Sequence, residues 1–383
     1  MPLPASPRPW PWPALRAMPL ALLLLLNLPT PSEAQPAPPR AHAPADWRAQ
    51  LRTRIERLDA QTPGALGVYV KRLDNGESFG HGADRRWYLG SMTKIPIAVA
   101  VLQQVDAGQL RLDANVALQE SDRIDVGKIV WDKAGTRYRV DDLLRRMLRD
   151  SDNTAANMLI RTIGGEGPLN ERAAAAIGQG RMGALTDFAR VRRDVYAELH
   201  PGARRLTNAQ LVQIAGAPIG PQRVAALQRA LGVPASAMRL RDFGEAYARY
   251  YRHENNSATL EGYGALLEKL ARGELLKPES QARIHDGLKL GIYTNHRLQA
   301  GLPRSEPFIH KTGTQHLRAC HAGVIRPQDQ GARGIVVVAC TADLDEQKAA
   351  GPVLQRVGQA VTQALLQAPA ASTGGDARTA RSE

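Results

Sequence analysis

Only two of the 383 residues are cysteines, and aromatic residues make up 5% of the chain. No segment contains the run of about eighteen apolar residues that a membrane-spanning helix needs. The formal net charge is +13, but no block of five or more consecutive basic residues occurs. Because the positive charge is scattered in this way, we expect no nucleic acid partner. The 34 glycines and 26 prolines interrupt every heptad pattern, which excludes a coiled-coil rod.

The amino-terminal residues have the pattern of an export signal. Two arginines precede the leucine run 22–26, and Ser32 and Ala34 place small residues at positions −3 and −1 of a cleavage site. We expect residues 1–34 to be a signal peptide and the mature protein to be periplasmic or secreted. An uncleaved membrane anchor is the alternative, but we expect no stable anchor after the signal is removed.

In an oxidising compartment, a single pair of cysteines favours a disulfide over a metal site. Cys320 and Cys340 are equidistant from Gln330, which is the centre of a polar turn between two strand-like segments. Directly opposed residues of antiparallel strands have Cβ atoms about 4.5–5.5 Å apart, which approaches disulfide distance. We therefore predict a cross-strand disulfide. Three histidines lie near Cys320, but their spacing matches no usual ligand pattern, so we expect neither a metal nor another cofactor.

Apolar periodicity predicts a helix, then strands, many helices, and finally strands and a last helix. The predicted elements at the two ends are a helix at 46–61, a hairpin at 65–72 and 77–81, strands at 317–326 and 334–341, and a helix at 351–367. Strands from both ends imply one antiparallel sheet with flanking helices. The helices between them imply a separate all-α lobe at about 105–285.

The sequence therefore predicts an α/β fold with one domain at 46–367. A Pro/Ala-rich linker at 35–45 precedes this domain, and a tail at 368–383 lacks apolar periodicity. We expect the linker and the tail to carry no chemistry.

Three short motifs contain the groups that acyl transfer needs. Ser91 and Lys94 are three residues apart at the start of a predicted helix, so the amine lies close enough to accept the hydroxyl proton. Ser151-Asp152-Asn153 follows, and 311–314 (KTGT) precedes the final strands. A helix cap, a second polar cap and an edge strand would each explain one motif alone. Their occurrence together favours a nucleophilic serine.

The motifs S-x-x-K, S-D-N and K-T-G in this order resemble those of the penicillin-recognising serine hydrolases, and the flanking sequence is most similar to class A β-lactamases. The segments that carry this resemblance are 101–112 (VLQQVDAGQLRL), 152–165 (DNTAANMLIRTIGG) and 297–303 (RLQAGLP). The resemblance covers roughly residues 64–170 and 285–345. It implies a β-lactamase/transpeptidase-like fold and a β-lactam or peptidoglycan-like small substrate. We expect the protein to be a monomer.

The resemblance implies a role for each motif residue. Ser91 is the acylated nucleophile, Lys94 accepts its proton, and the backbone N–H groups of Ser91 and Thr314 form the oxyanion hole. Ser151 passes a proton to the leaving nitrogen, and Asn153 binds the side-chain amide of the substrate. The residues implied to bind substrate at the third motif are Lys311, Thr312, Gly313 and Thr314, with Arg318 as a candidate for steering the carboxylate.

The general base that class A enzymes carry on a loop is not identified. Glu166 opens an E-x-x-L-N string, but it lies only fifteen positions after Ser151, on the next predicted helix, so we do not assign it as the base. Asp187 and Glu198 are the candidates, and the absence of any base is the alternative. The leading hypothesis is an exported serine β-lactamase. The alternatives are a D-Ala-D-Ala peptidase or amidase acting on peptidoglycan, and a slowly acylated, non-catalytic penicillin-binding protein.

Overall fold

The computed structural model describes residues 46–289 and 296–367. The helices are α1 (Trp47–Ala60), α2 (Lys94–Asp106), α3 (Val140–Arg149), α4 (Asn153–Thr162), α5 (Glu166–Ile177), α6 (Phe188–Leu199), α7 (Asn208–Ala215), α8 (Pro221–Leu231), α9 (Phe243–Tyr251), α10 (Leu260–Ala271), α11 (Pro278–Lys289) and α12 (Ala350–Val361). The strands are β1 (Ala65–Arg72), β2 (Ser78–His81), β3 (Arg86–Tyr88), β4 (Asn115–Ala117), β5 (Arg137–Arg139), β6 (Ser257–Thr259), β7 (Phe308–Gln315), β8 (Arg318–Ile325) and β9 (Ile335–Ala342).

The predicted signal peptide, linker and tail lie outside the described residues, and the predicted domain boundaries stay predictions. Within the two described ranges, every helix is too short or too polar to span a lipid bilayer.

A five-stranded antiparallel sheet joins strands from both ends of the described chain, which confirms the predicted fold class. The strand order is β2-β1-β9-β8-β7, and β1 pairs with β9 from Ala65 opposite Ala342 to Arg72 opposite Ile335. Helix α1 buries Trp47 and the three apolar residues that follow at helical spacing, and these side chains pack with α12 and the sheet in one core cluster. The sheet therefore holds the third motif, on β7, at its edge.

The disulfide predicted from the turn symmetry is present. Cys320 on β8 lies directly opposite Cys340 on β9, and the two sulfur atoms are bonded. The polar turn between these strands keeps the register that the sequence predicted.

The predicted helix beginning at Ser91 is wrong by three residues. Gly90–Thr93 form a 3₁₀ turn, and α2 begins at Lys94. Gly90 has φ of +54°, and a Cβ atom on it would lie 2.8 Å from the backbone nitrogen of Thr314. Because β7 packs so closely against this turn, the chain enters the helix through a glycine in the left-handed conformation. Ser91 is therefore held beside the strand, one turn before the regular α-helix.

Candidate active site

Two glycines allow the first and third motifs to meet. A Cβ atom on Gly313 would lie 1.9 Å from the backbone oxygen of Leu89, which no side chain can tolerate. Gly90 in turn packs on the backbone of Thr314, so the turn that carries Ser91 lies directly against the end of β7. The glycine of the third motif is thus required by this packing as well as by any substrate lying along the strand.

The side chain of Lys94 is fully buried and is the centre of the site. Its Nζ atom lies 3.0 Å from Ser91 Oγ, 3.1 Å from Ser151 Oγ, 2.5 Å from the backbone oxygen of Ser151 and 2.6 Å from Asn153 Oδ1. Burial holds the pKa of Lys94 well below its usual 10.5, and the charge of Lys311 lowers it further. Because the lowered pKa favours the neutral amine, a buried lysine of this kind is able to act as a proton acceptor.

The second motif lies between the two lysines. Lys311 Nζ donates to Ser151 Oγ at 3.0 Å, so this hydroxyl is within reach of both amines. Ser151 has φ of +56°, a conformation that costs about 1–3 kcal/mol in a residue other than glycine and that is frequent at active sites. Burial and the nearby Arg297 lower the pKa of Lys311 to about 7. The site therefore contains two lysines, and both have a strongly lowered pKa.

Asp152 and Asn153 fix the loop beside the serines. The Asp152 carboxylate caps α4 by accepting from Ala155 N at 2.9 Å, and it also accepts from Lys128 N at 2.8 Å. Asn153 Nδ2 donates to the backbone oxygen of Asp125 at 2.8 Å. The polar helix cap that the sequence offered as an explanation for this motif is therefore present, together with the contacts to Lys94.

Arg297 is a buried cation of this site that the sequence reasoning missed. Its guanidinium donates to the backbone oxygens of Gly313 and Cys320 at 2.8 and 2.9 Å, and to Thr314 Oγ1 at 2.8 Å. It thus lies against the third motif and adds positive potential beside Lys311. The only sequence signal was its place at the head of the string RLQAGLP, to which no role had been given.

Phe188 is a second residue that the sequence reasoning missed. The centre of its ring lies 4.6 Å from Lys94 Nζ, so an apolar surface covers the amine. Four successive backbone N–H groups hold the segment that leads into this residue. They are Leu185 N to Asn170 Oδ1 (2.7 Å), Thr186 N to Asn256 Oδ1 (3.0 Å), Asp187 N to Glu166 Oε1 (2.9 Å) and Phe188 N to Asn157 Oδ1 (2.9 Å). The position of the ring is therefore fixed from four separate side chains.

A cavity of about 450 Å³ opens over these groups. The sequence-predicted residues that line it are Ser91, Ser151, Asn153, Thr312 and Thr314. Lys94 and Lys311 are buried and contact the serines at its wall. The structure thus brings together all three motifs in one cavity.

Three carboxylates are among the described residues that line this cavity, namely Asp125, Asp150 and Glu346. Both oxygens of Asp125 accept from Arg192, at 3.1 and 2.5 Å, and both oxygens of Asp150 accept from Arg149, at 2.8 and 3.3 Å. Glu346 accepts from a backbone N–H group at 2.9 Å. Each carboxylate therefore has a partner other than the reacting groups.

Neither candidate base reaches the cavity. Asp187 caps α6 by accepting from Arg190 N at 2.7 Å, and Glu198 pairs with His253 at 3.0 Å beside a different cavity. Glu166 contacts Asp187 N and the guanidinium of Arg190 at the start of α6. The interpretation of the E-x-x-L-N string as something other than the catalytic loop agrees with this placement.

The structure does not bring Arg318 into the cavity. Its guanidinium pairs with Asp343 at 2.9 Å, lies 4.4 Å from the centre of the Tyr251 ring and lines a separate cavity. The basic residue found against the third motif is Arg297 instead. Neighbouring side chains of a β-strand point to opposite faces of the sheet. The third motif, on β7, does not determine which face Arg318 on β8 occupies.

The histidines near Cys320 have different surroundings. His310 and His321 are buried, with ring nitrogens 2.9 Å apart, whereas His316 lines the cavity. Cys320 itself is in the disulfide.

The chain is similar to β-lactamases in sequence and in fold. The profile of the family described as "Beta-lactamase enzyme family" matches residues 50–365. The β-lactamase L2 of Stenotrophomonas maltophilia is 32% identical over 125 residues, which is 33% of this chain and 41% of that protein. The match thus spans less than half the length of this relative.

Two solved structures share the fold. An ancestral class A β-lactamase has a TM-score of 0.59 and 24% identity, with 82% of this chain and 99% of the other covered. PBP-A has a TM-score of 0.60 and 21% identity, with 82% and 95% covered. Because the family profile extends over most of the sequence and contains all three motifs, this chain belongs to the β-lactamase enzyme family.

Proposed function

We propose that this protein is an exported serine hydrolase that forms an acyl-enzyme on Ser91 and hydrolyses the amide bond of β-lactams. Membership of the β-lactamase family and the fold shared with class A enzymes support β-lactam hydrolysis by a serine enzyme. The observation that carries the proposal is the set of contacts around the Lys94 amine.

The hydrogen-bonding capacity of a neutral amine determines what these contacts do. Such an amine has two N–H bonds and one lone pair. The two shortest contacts of Lys94 Nζ are to carbonyl oxygens, of Ser151 and of the Asn153 side chain, and these oxygens can only accept. When they take both hydrogens, the lone pair is left for the Ser91 hydroxyl at 3.0 Å. Lys94 is then the general base for Ser91.

The remaining groups are placed for the breakdown of the substrate amide. The Ser91 oxygen bonds to the carbonyl carbon, and the bond from that carbon to nitrogen breaks. The Ser151 hydroxyl, which contacts both lysines, carries the proton to the leaving nitrogen. The substrate carboxylate binds at the end of β7, where Lys311 and Arg297 supply positive potential.

Slow hydrolysis of the acyl-enzyme follows from the surroundings of Lys94. Phe188 covers the amine, and the carboxylates that line the described part of the cavity are engaged by other groups. Water attacking the Ser91 ester then lacks a general base, so we expect the acyl-enzyme to accumulate.

The contacts around the Lys94 amine also support a second candidate, a D-Ala-D-Ala peptidase or amidase that acts on peptidoglycan. PBP-A shares the fold, and a mutant of PBP-A is known as an acyl-enzyme complex with penicillin G. A peptidase of this kind would use the same Ser91 and Lys94 on a peptide.

Export is part of the proposal on two grounds. The leader pattern at residues 1–34 has the features of a signal peptide. The Cys320–Cys340 disulfide is of a kind that persists in oxidising compartments.

Turnover of a chromogenic cephalosporin by the purified protein tests the proposal. We expect ring opening that is lost in Ser91→Ala and slowed on the order of 10²–10⁴-fold in Lys94→Met. Lys133→Met, which removes an exposed lysine, is the matched control and keeps the wild-type rate. Faster cleavage of a peptide ending in D-Ala-D-Ala would favour the peptidase. Stoichiometric labelling without any turnover of either substrate would favour a non-catalytic binder.

A further inference from the structure

Two buried histidines lie beside the third motif and take no part in the proposed reaction. His310 on β7 is the residue before Lys311, and His321 on β8 lies directly opposite Thr312. Because side chains alternate along a strand, His310, Thr312 and His321 share one face of the sheet. His310 is 5% exposed and His321 is 0% exposed. Buried polar rings of this kind need hydrogen-bond partners, and those partners define what the rings do.

A single backbone N–H group fixes the hydrogen atoms of both rings. Leu298 N donates to His321 Nδ1 at 3.2 Å, so this ring nitrogen is the acceptor and the proton of the neutral ring lies on Nε2. His321 Nε2 lies 2.9 Å from His310 Nδ1 and therefore donates to it. The proton of His310 is then on its own Nε2 atom. Each ring thus has one defined tautomer and one defined orientation.

The contacts of the pair leave no place for a second proton. A proton added to His321 Nδ1 would point at the Leu298 N–H group, and one added to His310 Nδ1 would point at the N–H group of His321. Burial lowers the pKa of His310 to about 4 and holds the pKa of His321 well below its usual 6.5, and the charge of Lys311 lowers both further. The pair is therefore a neutral, fixed array rather than a proton relay.

The hydrogen bond from Leu298 N connects this array to the turn that carries Arg297. The turn is a 3₁₀ helix that begins at Arg297, which is buried and has φ of +51° although it is not a glycine. Such a conformation persists only where the surrounding structure holds it. Thr362 Oγ1 donates to the backbone oxygen of Gly301 at 2.8 Å and holds the far end of the turn. His321 holds the end where the arginine lies.

The position of the Arg297 backbone determines where its guanidinium lies. That guanidinium contacts Gly313 and Thr314 on β7, where the proposed function places the substrate carboxylate. We propose that His321, oriented by His310, is a positioning residue that holds the Arg297 guanidinium at the carboxylate end of the cavity. This inference rests on the proposed function, and it gives a role to two histidines that lie outside the three motifs.

Penicillin G and its methyl ester, which lacks the carboxylate charge, test this role. We measure the second-order rate constant for acylation with each compound and take the ratio of acid to ester. His321→Gln keeps an N–H group towards His310 but removes the acceptor for Leu298 N, so the ratio should fall about three- to tenfold, the effect of one hydrogen bond. His321→Asn places an amide oxygen where Nδ1 was, so it should keep most of the wild-type ratio. His253→Gln changes an exposed histidine that pairs with Glu198 and is the matched control.

A double variant tests whether the effect passes through the arginine. Arg297→Gln alone should lower the ratio, and adding His321→Gln should lower it no further, because the group to be positioned is already gone. His310→Leu keeps His321 but removes the acceptor that orients its ring. This variant should lower the ratio in the same direction, and it serves in place of His321→Gln if that variant does not fold.

Three results would overturn the positioning role and leave acylation of Ser91 standing. They are a wild-type ratio near one, an equal slowing of acid and ester in folded His321→Gln, and additive losses in the double variant with Arg297→Gln. Failure of both compounds to acylate Ser91 in the wild type would overturn the proposed function and this inference with it.

Discussion

The centre of the Phe188 ring lies 4.6 Å from the Nζ atom of Lys94. Lys94 is the first residue of α2 and follows Ser91 by one turn. This contact keeps water from an amine that must be neutral to accept the serine proton. The same ring lines the cavity that contains Ser91. We therefore expect this one side chain both to favour acylation and to slow deacylation, and substitutions in the site separate the two effects.

Replacing Phe188 changes the pH dependence of acylation. Burial is the main cause of the lowered pKa of Lys94, so Phe188→Ala, which admits water, raises that pKa towards 10.5. Because the neutral amine is the active form, the midpoint of the acylation rate moves to higher pH, and the rate at pH 7 falls. Phe188→Leu keeps the apolar cover and should stay near the wild-type midpoint. Intact-mass measurement of the acyl-enzyme against pH checks this, and identical midpoints for the two variants would contradict it.

Binding of a carboxylate should weaken as pH rises through 7. Lys311 has a pKa of about 7, so its protonated fraction falls about tenfold between pH 6 and pH 8. The Kd of a non-reactive carboxylate ligand should rise over this range by up to the same factor. Lys311→Arg remains charged and should give a flat profile. Calorimetric titration at several pH values measures both, and a wild-type Kd that does not change with pH would exclude this role for Lys311.

The acyl-enzyme should accumulate during turnover. Stopped-flow mixing with a chromogenic cephalosporin is expected to give a burst near one equivalent, followed by slow steady turnover. Asp187→Asn and Glu198→Gln should leave both phases unchanged, because neither side chain lines the cavity with Ser91. If either variant abolishes turnover but keeps the burst, that residue is the base. Fast turnover without a burst would show that deacylation is efficient.

The disulfide should contribute to stability. The bridged cysteines are 20 positions apart in sequence, and closing a loop of this length stabilises the folded state by about 3 kcal/mol. The double variant Cys320→Ala, Cys340→Ala should lose a similar free energy of unfolding in a denaturant titration. Wild-type protein titrated with reductant present is the parallel sample. An unchanged midpoint in both would show that the bridge does not stabilise the fold.

The local parts of the site could be predicted from the sequence. Ser91 and Lys94 are close in the chain, and the register of Cys320 and Cys340 follows from the symmetry of one turn. Phe188 could not be placed in this way, because its position depends on side chains from two other helices, α4 and α5, and from the segment before β6. Arg297 was missed for the same reason, because its contacts with Gly313 and Thr314 on β7 exist only in the folded chain.

Acylation of Ser91 is tested most directly by intact-protein mass spectrometry after incubation with penicillin G, followed by peptide mapping of the adduct. We expect the wild type to gain the mass of one penicillin on the peptide that contains Ser91, and Ser91→Ala to gain none. Ser78→Ala, which changes an exposed serine of β2, should be labelled like the wild type. Equal labelling of Ser91→Ala, or an adduct on another residue, would contradict the proposed role of Ser91.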